Sequence, residues 1–407
     1  WSPLTGVSGT GTDHEVFFLA TYDDGTGEAL FVGGRFVTAG GITVNRIARW
    51  DGAVWSSLSG TAGTGVSGLV PGVDALAVFD DGTGPALYAG GTFTTAGGVV
   101  VNHVARWDGT SWSGLSSPSG TGVSVGGVRT LAVYDYGTGP ELYAGGSFGY
   151  AANLPVDNIA RWDGAGWSAL TGPFGTGTGS SVNSLTVYDD GSGPALYVGG
   201  YFVTAGGVPA NRIARWDGTA WSALAGGVDG PSPSTGVESL VVYDDGTGPA
   251  LFAGGVFTTA GGVTVNSIAR WDGSAWFALS GPSGTGMGDP YPVVYAVGVY
   301  DDGTAPALYA GGGFTAAGGV TVNSIARWDG TSWSALSGPA GTGTNSIVVS
   351  LAMFDDRTGA ALYAGGTFTT AGGLPSSRIA AWWCEALPLF ADGFESGDTS
   401  EWSLVIP

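Results

Sequence analysis

The sequence predicts an all-β fold built from seven similar units of four short strands each. A Gly-Gly doublet recurs after a short apolar run in every unit, a Trp follows it at a constant interval, and no stretch shows a helical period. The doublets occupy residues 33–34, 90–91, 145–146, 199–200, 254–255, 311–312 and 365–366. Sixteen residues after the second Gly of each doublet stand Trp50, Trp107, Trp162, Trp216, Trp271, Trp328 and Trp382.

Each unit contains four predicted strands separated by turn residues. In the unit around residue 250 they are residues 239–243, 250–254, 267–271 and 276–279. An Asp-Asp-Gly-Thr-Gly turn separates the first two strands, and an Asp-Gly turn precedes the fourth. The runs are short and rich in β-branched and aromatic residues, as expected of strands. Seven such antiparallel units predict a seven-bladed β-propeller.

The two ends of the repeat predict how the ring closes. Six units carry a second Trp five residues after the first, but the seventh has Leu387 at that position. The missing fourth strand appears at the N-terminus, where Trp1-Ser2-Pro3-Leu4 matches the Trp-Ser-Ala-Leu of other units. We therefore expect Trp1 and Leu4 to complete the seventh blade and remove its free edge. The predicted propeller covers residues 1–384, and a tail follows at residues 385–407.

The repeat resembles the kelch repeat and, more loosely, the propeller of galactose oxidase. The matching residues are Leu87-Tyr88-Ala89-Gly90-Gly91, Trp107-Asp108-Gly109 and Trp112. Kelch repeats are shorter and usually have Tyr in place of the first Trp, so the resemblance implies the fold and little about function. The tail is similar to the C-terminal tails of many secreted bacterial proteins, which implies export or surface attachment. The residues predicted to act in assembly are Phe394, Trp402 and Leu404.

Composition narrows the classes of partner. The net charge is −21, and all twelve basic residues are Arg. An acidic surface repels phosphate backbones, so nucleic acid is excluded as a partner. No apolar run is long enough to span a membrane as a helix. The lone Cys384 cannot form an internal disulfide, and the Gly/Ser/Thr-rich composition favours a secreted protein or one at the cell surface.

The Asp-Asp-Gly-Thr-Gly turns are candidate calcium sites. Adjacent carboxylates and loop carbonyls can supply oxygen ligands to Ca²⁺. The candidate ligands are Asp23, Asp24, Asp80, Asp81, Asp244 and Asp245. The alternative is that Asp and Gly serve turn geometry alone. The sequence leaves both open, and no other cofactor is predicted.

An Arg precedes the first Trp in six units, namely Arg49, Arg106, Arg161, Arg215, Arg270 and Arg327. We expect these side chains to reach carboxylates in the same or the next blade, either the Asp after the Trp or the turn aspartates. The seventh unit has Ala381 and also lacks the Asp after the Trp, which fits a structural pair. A ring of arginines that binds a ligand is the alternative interpretation.

The near-identical units favour a non-enzymatic structural or adhesive protein, such as a self-assembling surface or filament subunit. The alternative is an extracellular module that binds a glycan or a protein through the loops at 59–73, 225–237 and 280–295. Aromatic residues that break the repeat are candidates for that binding: Tyr136, Tyr150, Tyr201, Tyr291 and Tyr295. An enzyme is not predicted, because His14, His103 and Cys384 form no coherent copper set. We expect His103 to lie at the surface.

Overall fold

The computed structural model describes residues 1–383 apart from 7–8, 61, 125, 282–283, 290–291, 303–304 and 358. All regular secondary structure in these ranges is β-strand. This confirms the all-β prediction and is consistent with a β-propeller. Cys384, Leu387 and the predicted assembly residues Phe394, Trp402 and Leu404 lie outside the described residues.

The described residues form seven four-stranded antiparallel sheets, one for each predicted unit. The first strands are Val16–Asp23, Val73–Asp80, Val128–Tyr134, Val182–Asp189, Gly236–Asp244, Val293–Asp301 and Val348–Asp355. The second strands are Glu28–Gly34, Pro85–Gly91, Glu141–Gly146, Pro194–Gly200, Pro249–Val256, Pro306–Gly313 and Ala360–Gly366.

Two shorter strands complete each sheet. The third strands are Ile47–Trp50, Val104–Trp107, Ile159–Trp162, Ile213–Trp216, Ile268–Trp271, Ile325–Trp328 and Ile379–Trp382. The fourth strands are Trp55–Ser57, Trp112–Gly114, Trp167–Ala169, Trp221–Ala223, Trp276–Ala278, Trp333–Ala335 and, in the seventh sheet, Ser2–Pro3. First strands of neighbouring sheets contact one another, so they are the innermost strands of the assembly.

The connections between the main strands contain small hairpins made of two-residue strands. Between second and third strands they are Thr38–Ala39 with Ile42–Thr43, Thr95–Ala96 with Val99–Val100, Tyr150–Ala151 with Leu154–Pro155, Thr204–Ala205 with Val208–Pro209, Thr259–Ala260 with Val263–Thr264, Ala316–Ala317 with Val320–Thr321, and Thr370–Ala371 with Leu374–Pro375. After fourth strands they are Ser59–Gly60 with Gly63–Thr64, Ser116–Ser117 with Gly120–Thr121, Thr171–Gly172 with Gly175–Thr176, Ser280–Gly281 with Gly284–Thr285, and Ser337–Gly338 with Gly341–Thr342. Val66–Ser67, Val228–Asp229 and Met287–Gly288 each add a third strand to one of the former hairpins.

The antiparallel strands give the molecule two different faces. The Asp turns and the Asp-Gly turns lie at one end of the strands, which we call the turn face. The connections between second and third strands, and those leading into the first strands, lie at the other end, which we call the loop face. The three long loops that the sequence singles out belong to the loop face.

The Gly-Gly doublets have a steric cause. A Cβ on Gly199 would lie 2.5 Å from Cγ1 of Val237, which belongs to the first strand of the next sheet. A Cβ on Gly200 would lie 2.1 Å from the carbonyl oxygen of Ser181. Equivalent contacts recur around the assembly, and the last joins Gly365 of the seventh sheet to Val16 of the first at 2.4 Å. The doublet therefore allows neighbouring sheets to approach closely at the centre.

This contact makes a stability prediction. We expect Gly199→Ala to lower the free energy of unfolding by about 2–3 kcal/mol, because the buried Cβ overpacks the junction between two sheets. Gly166→Ala is the matched control, since nothing lies within 4 Å of a Cβ there and its φ is not in the left-handed region. Chemical denaturation of both variants measures the difference. Equal stability of the two variants would show that the doublet does not set the spacing.

The paired Trp residues form the outer part of the core. Trp107 and Trp112 are 5% exposed, and their ring centroids lie 5.2 Å apart in a tilted arrangement. Indole Nε1 of Trp112 donates to the carbonyl of Leu58 in the preceding unit, at 3.3 Å. Such pairs bury large apolar area, so each outer strand is held by its Trp.

The N-terminal segment lies in the seventh sheet. Ser2 pairs with Ala381 and Pro3 pairs with Ala380, in the place that fourth strands hold elsewhere. Trp1 is 9% exposed, and its Nε1 lies 3.4 Å from the carbonyl oxygen of Leu336, the contact that Trp112 makes with Leu58. Leu4 is 3% exposed and belongs to the core cluster between the first and seventh sheets.

Candidate functional site

The carboxylates of the Asp-Asp-Gly-Thr-Gly turns accept hydrogen bonds from other residues of the same turn. Asp80 Oδ1 accepts from the backbone amides of Gly82 at 2.9 Å and Gly84 at 3.0 Å. Asp81 Oδ1 accepts from the backbone amide and the hydroxyl of Thr83. The same bonds hold the turns that carry the other four candidate calcium ligands, Asp23, Asp24, Asp244 and Asp245.

The second turn carboxylate also pairs with the Arg of the same sheet. Arg Nε or Nη lies 3.0–3.4 Å from its partner in the pairs Arg49–Asp24, Arg106–Asp81, Arg161–Glu141, Arg215–Asp190, Arg270–Asp245 and Arg327–Asp302. In the third sheet Tyr136 replaces the turn Asp, so Glu141 takes its role. The sequence left open whether each Arg pairs with a turn carboxylate or with the Asp after the Trp. In the structure the carboxylate on the turn side lies closer to the guanidinium. The Asp after the Trp is more distant, at 3.9 Å for Arg49–Asp51.

Hydrogen bonds within the turn and the Arg charge together lower the pKa of Asp81 and of Asp190. Burial raises the pKa of Asp81, but hydrogen bonds from Thr83 and Tyr88 and the Arg106 charge outweigh it, so this pKa lies below its usual value. Among the described residues, no group of three or more His, Cys, Asp or Glu side chains is placed to hold a metal ion. The calcium hypothesis stays a prediction.

A second set of residues occupies the centre of the molecule. Each first strand has a β-bulge at its second or third residue, where the register of pairing with the second strand shifts. The bulged residues are Phe17, Asp74, Arg129, Asn183, Glu238, Tyr295 and Val349, which we call the channel ring. All seven line one cavity of about 570 Å³ at the loop-face end of the first strands. Bulges re-aim side chains, here toward the axis.

The channel ring is a position at which all seven sheets carry a different residue. The preceding residue is Val in all seven sheets and the one two positions on is Leu or Val, whereas the bulged residue differs in every sheet. Each ring residue stands seventeen positions before the second Gly of its doublet. The constant residues on either side serve packing in every unit. The varied residue between them is therefore a candidate functional residue.

Three polar side chains of the ring are joined by hydrogen bonds. Arg129 Nη1 donates to Asn183 Oδ1 at 3.0 Å, and Asn183 Nδ2 donates to Glu238 Oε2 at 3.0 Å. The hydroxyl of Tyr201, which follows the fourth doublet, donates to Glu238 Oε1. Burial raises the pKa of Glu238, and the Tyr201 hydrogen bond and the Arg129 charge oppose that rise. Together these residues form a fixed polar arc across three adjacent sheets.

Asp74 adds a carboxylate with an unusual pKa. Burial raises its pKa to about 6, against the opposing charges of Arg35 and Arg129. Neither guanidinium lies within ion-pair distance of Asp74 among the described residues. Arg35 follows the first doublet, lines the same cavity, and packs its guanidinium carbon 5.3 Å from the centroid of the Phe17 ring.

The rest of the ring is apolar. Tyr295, Val349 and Phe17 come from the sixth, seventh and first sheets, which are neighbours, and Tyr295 is 36% exposed. The cavity therefore has a polar arc with two cations and two carboxylates, and opposite it an aromatic arc. A partly enclosed cavity with convergent polar groups and shifted pKa values is the usual form of a ligand site.

Sequence reasoning found this site only in part. Of the aromatic residues that break the repeat, Tyr295 lines the channel and Tyr201 donates to Glu238, while Tyr136 packs against Arg161 of the structural pairs. Tyr150 is 53% exposed on the loop face, and Tyr291 lies outside the described residues. The polar members of the ring were missed, although a comparison of the seven units at one fixed position would have revealed them.

His103 precedes the third strand of the second sheet. Its side chain is partly exposed, its Nδ1 is buried, and burial lowers its pKa. The backbone at His103 has φ 72°, because the chain turns sharply into the third strand there. His14 is exposed beside Glu15 on the loop face.

Comparison with known proteins supports the all-β fold. No family model and no curated protein matches the chain. The extracellular domain assigned to a hybrid two-component system, BT4673, of B. thetaiotaomicron is similar with a TM-score of 0.54 at 12% identity, over 96% of this chain and 41% of that one. A second structure, the extracellular domain of BT4673 described as a one-component system, gives a TM-score of 0.52 at 12% identity, over 98% and 42%. The chain thus spans about two fifths of these structural relatives.

Proposed function

We propose that this chain is an extracellular, non-enzymatic ligand-binding module whose binding site is the channel ring. One observation carries the proposal: the bulged position of the first strand differs in every sheet, and all seven of these side chains line a single cavity. A purely structural disc needs no such variation at its axis, whereas a binding site needs different side chains around one ligand. The proposal therefore favours the ligand-binding alternative over the structural one.

The proposed scaffold is a seven-bladed β-propeller with kelch-like repeats, closed by its own N-terminal strand. Its support is the set of contacts between the first and seventh sheets. Ser350 Oγ accepts from the backbone amide of Leu19 at 3.0 Å, and the turn at Gly52 lies against Asp356. These repeat the contacts between other neighbouring sheets, such as Ser184 Oγ with the amide of Leu240.

An extracellular location is supported by the acidic, Lys-free composition and by what is said of the structural relatives, which are extracellular domains. The structure contains no helix in its described part that is long and apolar enough to cross a membrane. The assembly role of residues 385–407 stays a prediction, because that segment lies outside the described residues.

A thermal-shift screen tests the proposed function. Monosaccharides, sugar acids, amino acids and short peptides are added to the full-length protein at millimolar concentration. We expect at least one compound to raise the melting temperature, since binding to the folded state alone stabilises it. That shift should be lost in Tyr295→Ala and Arg129→Gln.

The control for this screen is Phe277→Ser, which restores the Ser that most other units have and removes a 44% exposed ring on the turn face. We expect it to keep the shift. Binding that Phe277→Ser abolishes and the channel variants preserve would place the site elsewhere. A panel without any binding compound would also contradict the proposal.

A further inference from the structure

We propose that the channel ring binds a carboxylate-bearing sugar, with the carboxylate held between Arg35 and Arg129 and the sugar ring across the cavity toward Tyr295. This inference rests on the proposed function and deepens it by naming the ligand class. The argument uses three features of the ring: unused guanidinium donors, fixed hydroxyl acceptors and an apolar arc opposite them.

The two arginines have donors to spare. Among the described residues, Arg35 has no ion pair and no side-chain hydrogen bond, and its guanidinium packs on Phe17. Arg129 uses Nη1 for Asn183 and forms no other side-chain bond in the described part of the chain. Both side chains are exposed to the cavity and come from sheets on either side of Asp74. Planar guanidinium groups with open donors favour a carboxylate, which they hold by two parallel bonds.

The acceptors in the polar arc can bind the hydroxyl groups of a ligand. Glu238 accepts one hydrogen bond on each oxygen and keeps lone pairs on both. Burial raises the pKa of Glu238, so further hydrogen bonds to its oxygens would stabilise the ionised form. The neutral donors of a polyhydroxy ligand fit such a carboxylate, and the Asn183 amide adds a second polar neighbour that is already oriented.

The opposite arc supplies a flat apolar surface. Tyr295 and Phe17 flank Val349 at the wall that faces the polar arc. The ring of a Tyr side chain can lie against the C–H face of a sugar, while the Tyr hydroxyl remains in contact with water. The cavity volume of about 570 Å³ lies in the range of small-molecule sites. A sugar acid therefore satisfies the charge, the hydroxyl acceptors and the shape together.

Asp74 makes the proposed binding depend on pH. The charged groups that act on it are Arg35 of the first sheet and Arg129 of the third, and the Thr92 hydroxyl that lies with it beside Gly72 is uncharged. Its pKa of about 6 means that it is ionised at pH 8 and neutral at pH 5. A bound carboxylate is repelled by ionised Asp74, so affinity should rise about three- to tenfold as the pH falls from 8 to 5.

Isothermal titration of the full-length protein tests the inference. The probes are D-galacturonate and D-glucuronate, the neutral sugars D-galactose and D-glucose, and acetate and L-glutamate. We expect a uronate to bind at least tenfold tighter than its neutral counterpart and than acetate or glutamate. Arg35→Gln and Arg129→Gln should each weaken uronate binding at least tenfold, because each removes a charge-assisted contact. Arg357→Gln, an exposed arginine on the turn face, is the matched control and should leave it unchanged.

The Asp74→Asn variant tests whether the charge of Asp74 alters uronate binding without removing the side chain. It should tighten uronate binding about three- to tenfold at pH 8 and remove the pH dependence, since it mimics the protonated carboxyl. Equal binding of acetate or glutamate, or of neutral sugars, would overturn the sugar-acid assignment. If another compound of the thermal-shift panel still depends on Tyr295 and Arg129, the proposed function survives while this inference fails. If no compound binds in the channel, both fail.

Discussion

Removing residues 1–4 is expected to cost far more stability than trimming a loop of similar length. The free energy of unfolding should fall by about 4–6 kcal/mol, because Trp1 and Leu4 leave the core and the third strand of the seventh sheet loses its outer neighbour. Trp1 also packs its Cδ1 against Gly372, so its loss leaves a cavity. A thermal melt of the truncated protein should show a decrease of roughly 5–10 °C.

The loop variant Leu69→Ser/Val70→Ser is the control for this truncation. Both side chains are exposed, Leu69 fully and Val70 by 66%, so the double variant should melt within about 1 °C of wild type. Adding a peptide of residues 1–5 in excess should restore part of the lost stability, because the empty edge can accept a strand. A truncated protein that melts like the full chain would show that the N-terminal strand does not close the structure.

The second large effect is expected for the structural arginines. Arg106→Ala should lower the free energy of unfolding by about 2–4 kcal/mol, because it leaves the Asp81 carboxylate without its partner in a site where Arg106 and Asp81 are 15% and 12% exposed. Arg106 also donates to the Thr83 hydroxyl at 2.7 Å, so the turn loses a second contact. Urea denaturation at pH 7 measures the loss.

The pH dependence of this effect has a definite sign. The pKa of Asp81 is lower in the folded state, so its contribution is present above the unfolded value of about 3.9 and is lost as the pH falls through the folded value. The gap between wild type and Arg106→Ala should therefore narrow below about pH 4. Arg35→Gln, whose side chain has no ion pair among the described residues, should leave stability unchanged. A similar loss from both variants would contradict the division into structural and channel arginines.

Much of the fold could be predicted from the sequence because packing acts identically on every unit. Gly199 and its equivalents cannot carry a Cβ against the Val of the next sheet, and each fourth strand is held by a buried Trp. Such requirements repeat with the architecture and so appear as a periodic pattern. The same pattern identified the N-terminal strand, since Trp1 and Leu4 meet the requirements of a fourth strand.

The carboxylate that pairs with each repeated Arg could be identified only from the register of the strands. Arg106 lies directly opposite Tyr88 on the second strand, and that strand begins next to the Asp turn. The turn carboxylate therefore reaches the guanidinium more closely than the Asp two residues along the chain. Sequence distance alone favours the nearer residue, so it could not choose between the two partner sets.

The channel ring was hidden because it has no shared residue type. Asp74, Arg129, Asn183 and Glu238 have nothing in common except their position on a bulge, and a search for recurring residues passes over them. Burial of Asp74 and the hydrogen bonds around Glu238 exist only after the seven first strands converge. These properties arise from the tertiary arrangement and cannot be inferred from one unit.

The most direct test of the central claim is a crystal structure of the full-length protein with D-galacturonate. We predict electron density for the sugar in the channel ring, with its carboxylate within hydrogen-bond distance of Arg35 and Arg129 and its ring beside Tyr295. Density for the sugar on the turn face, or an empty channel at saturating ligand concentration, would contradict the assignment of the ring as the binding site.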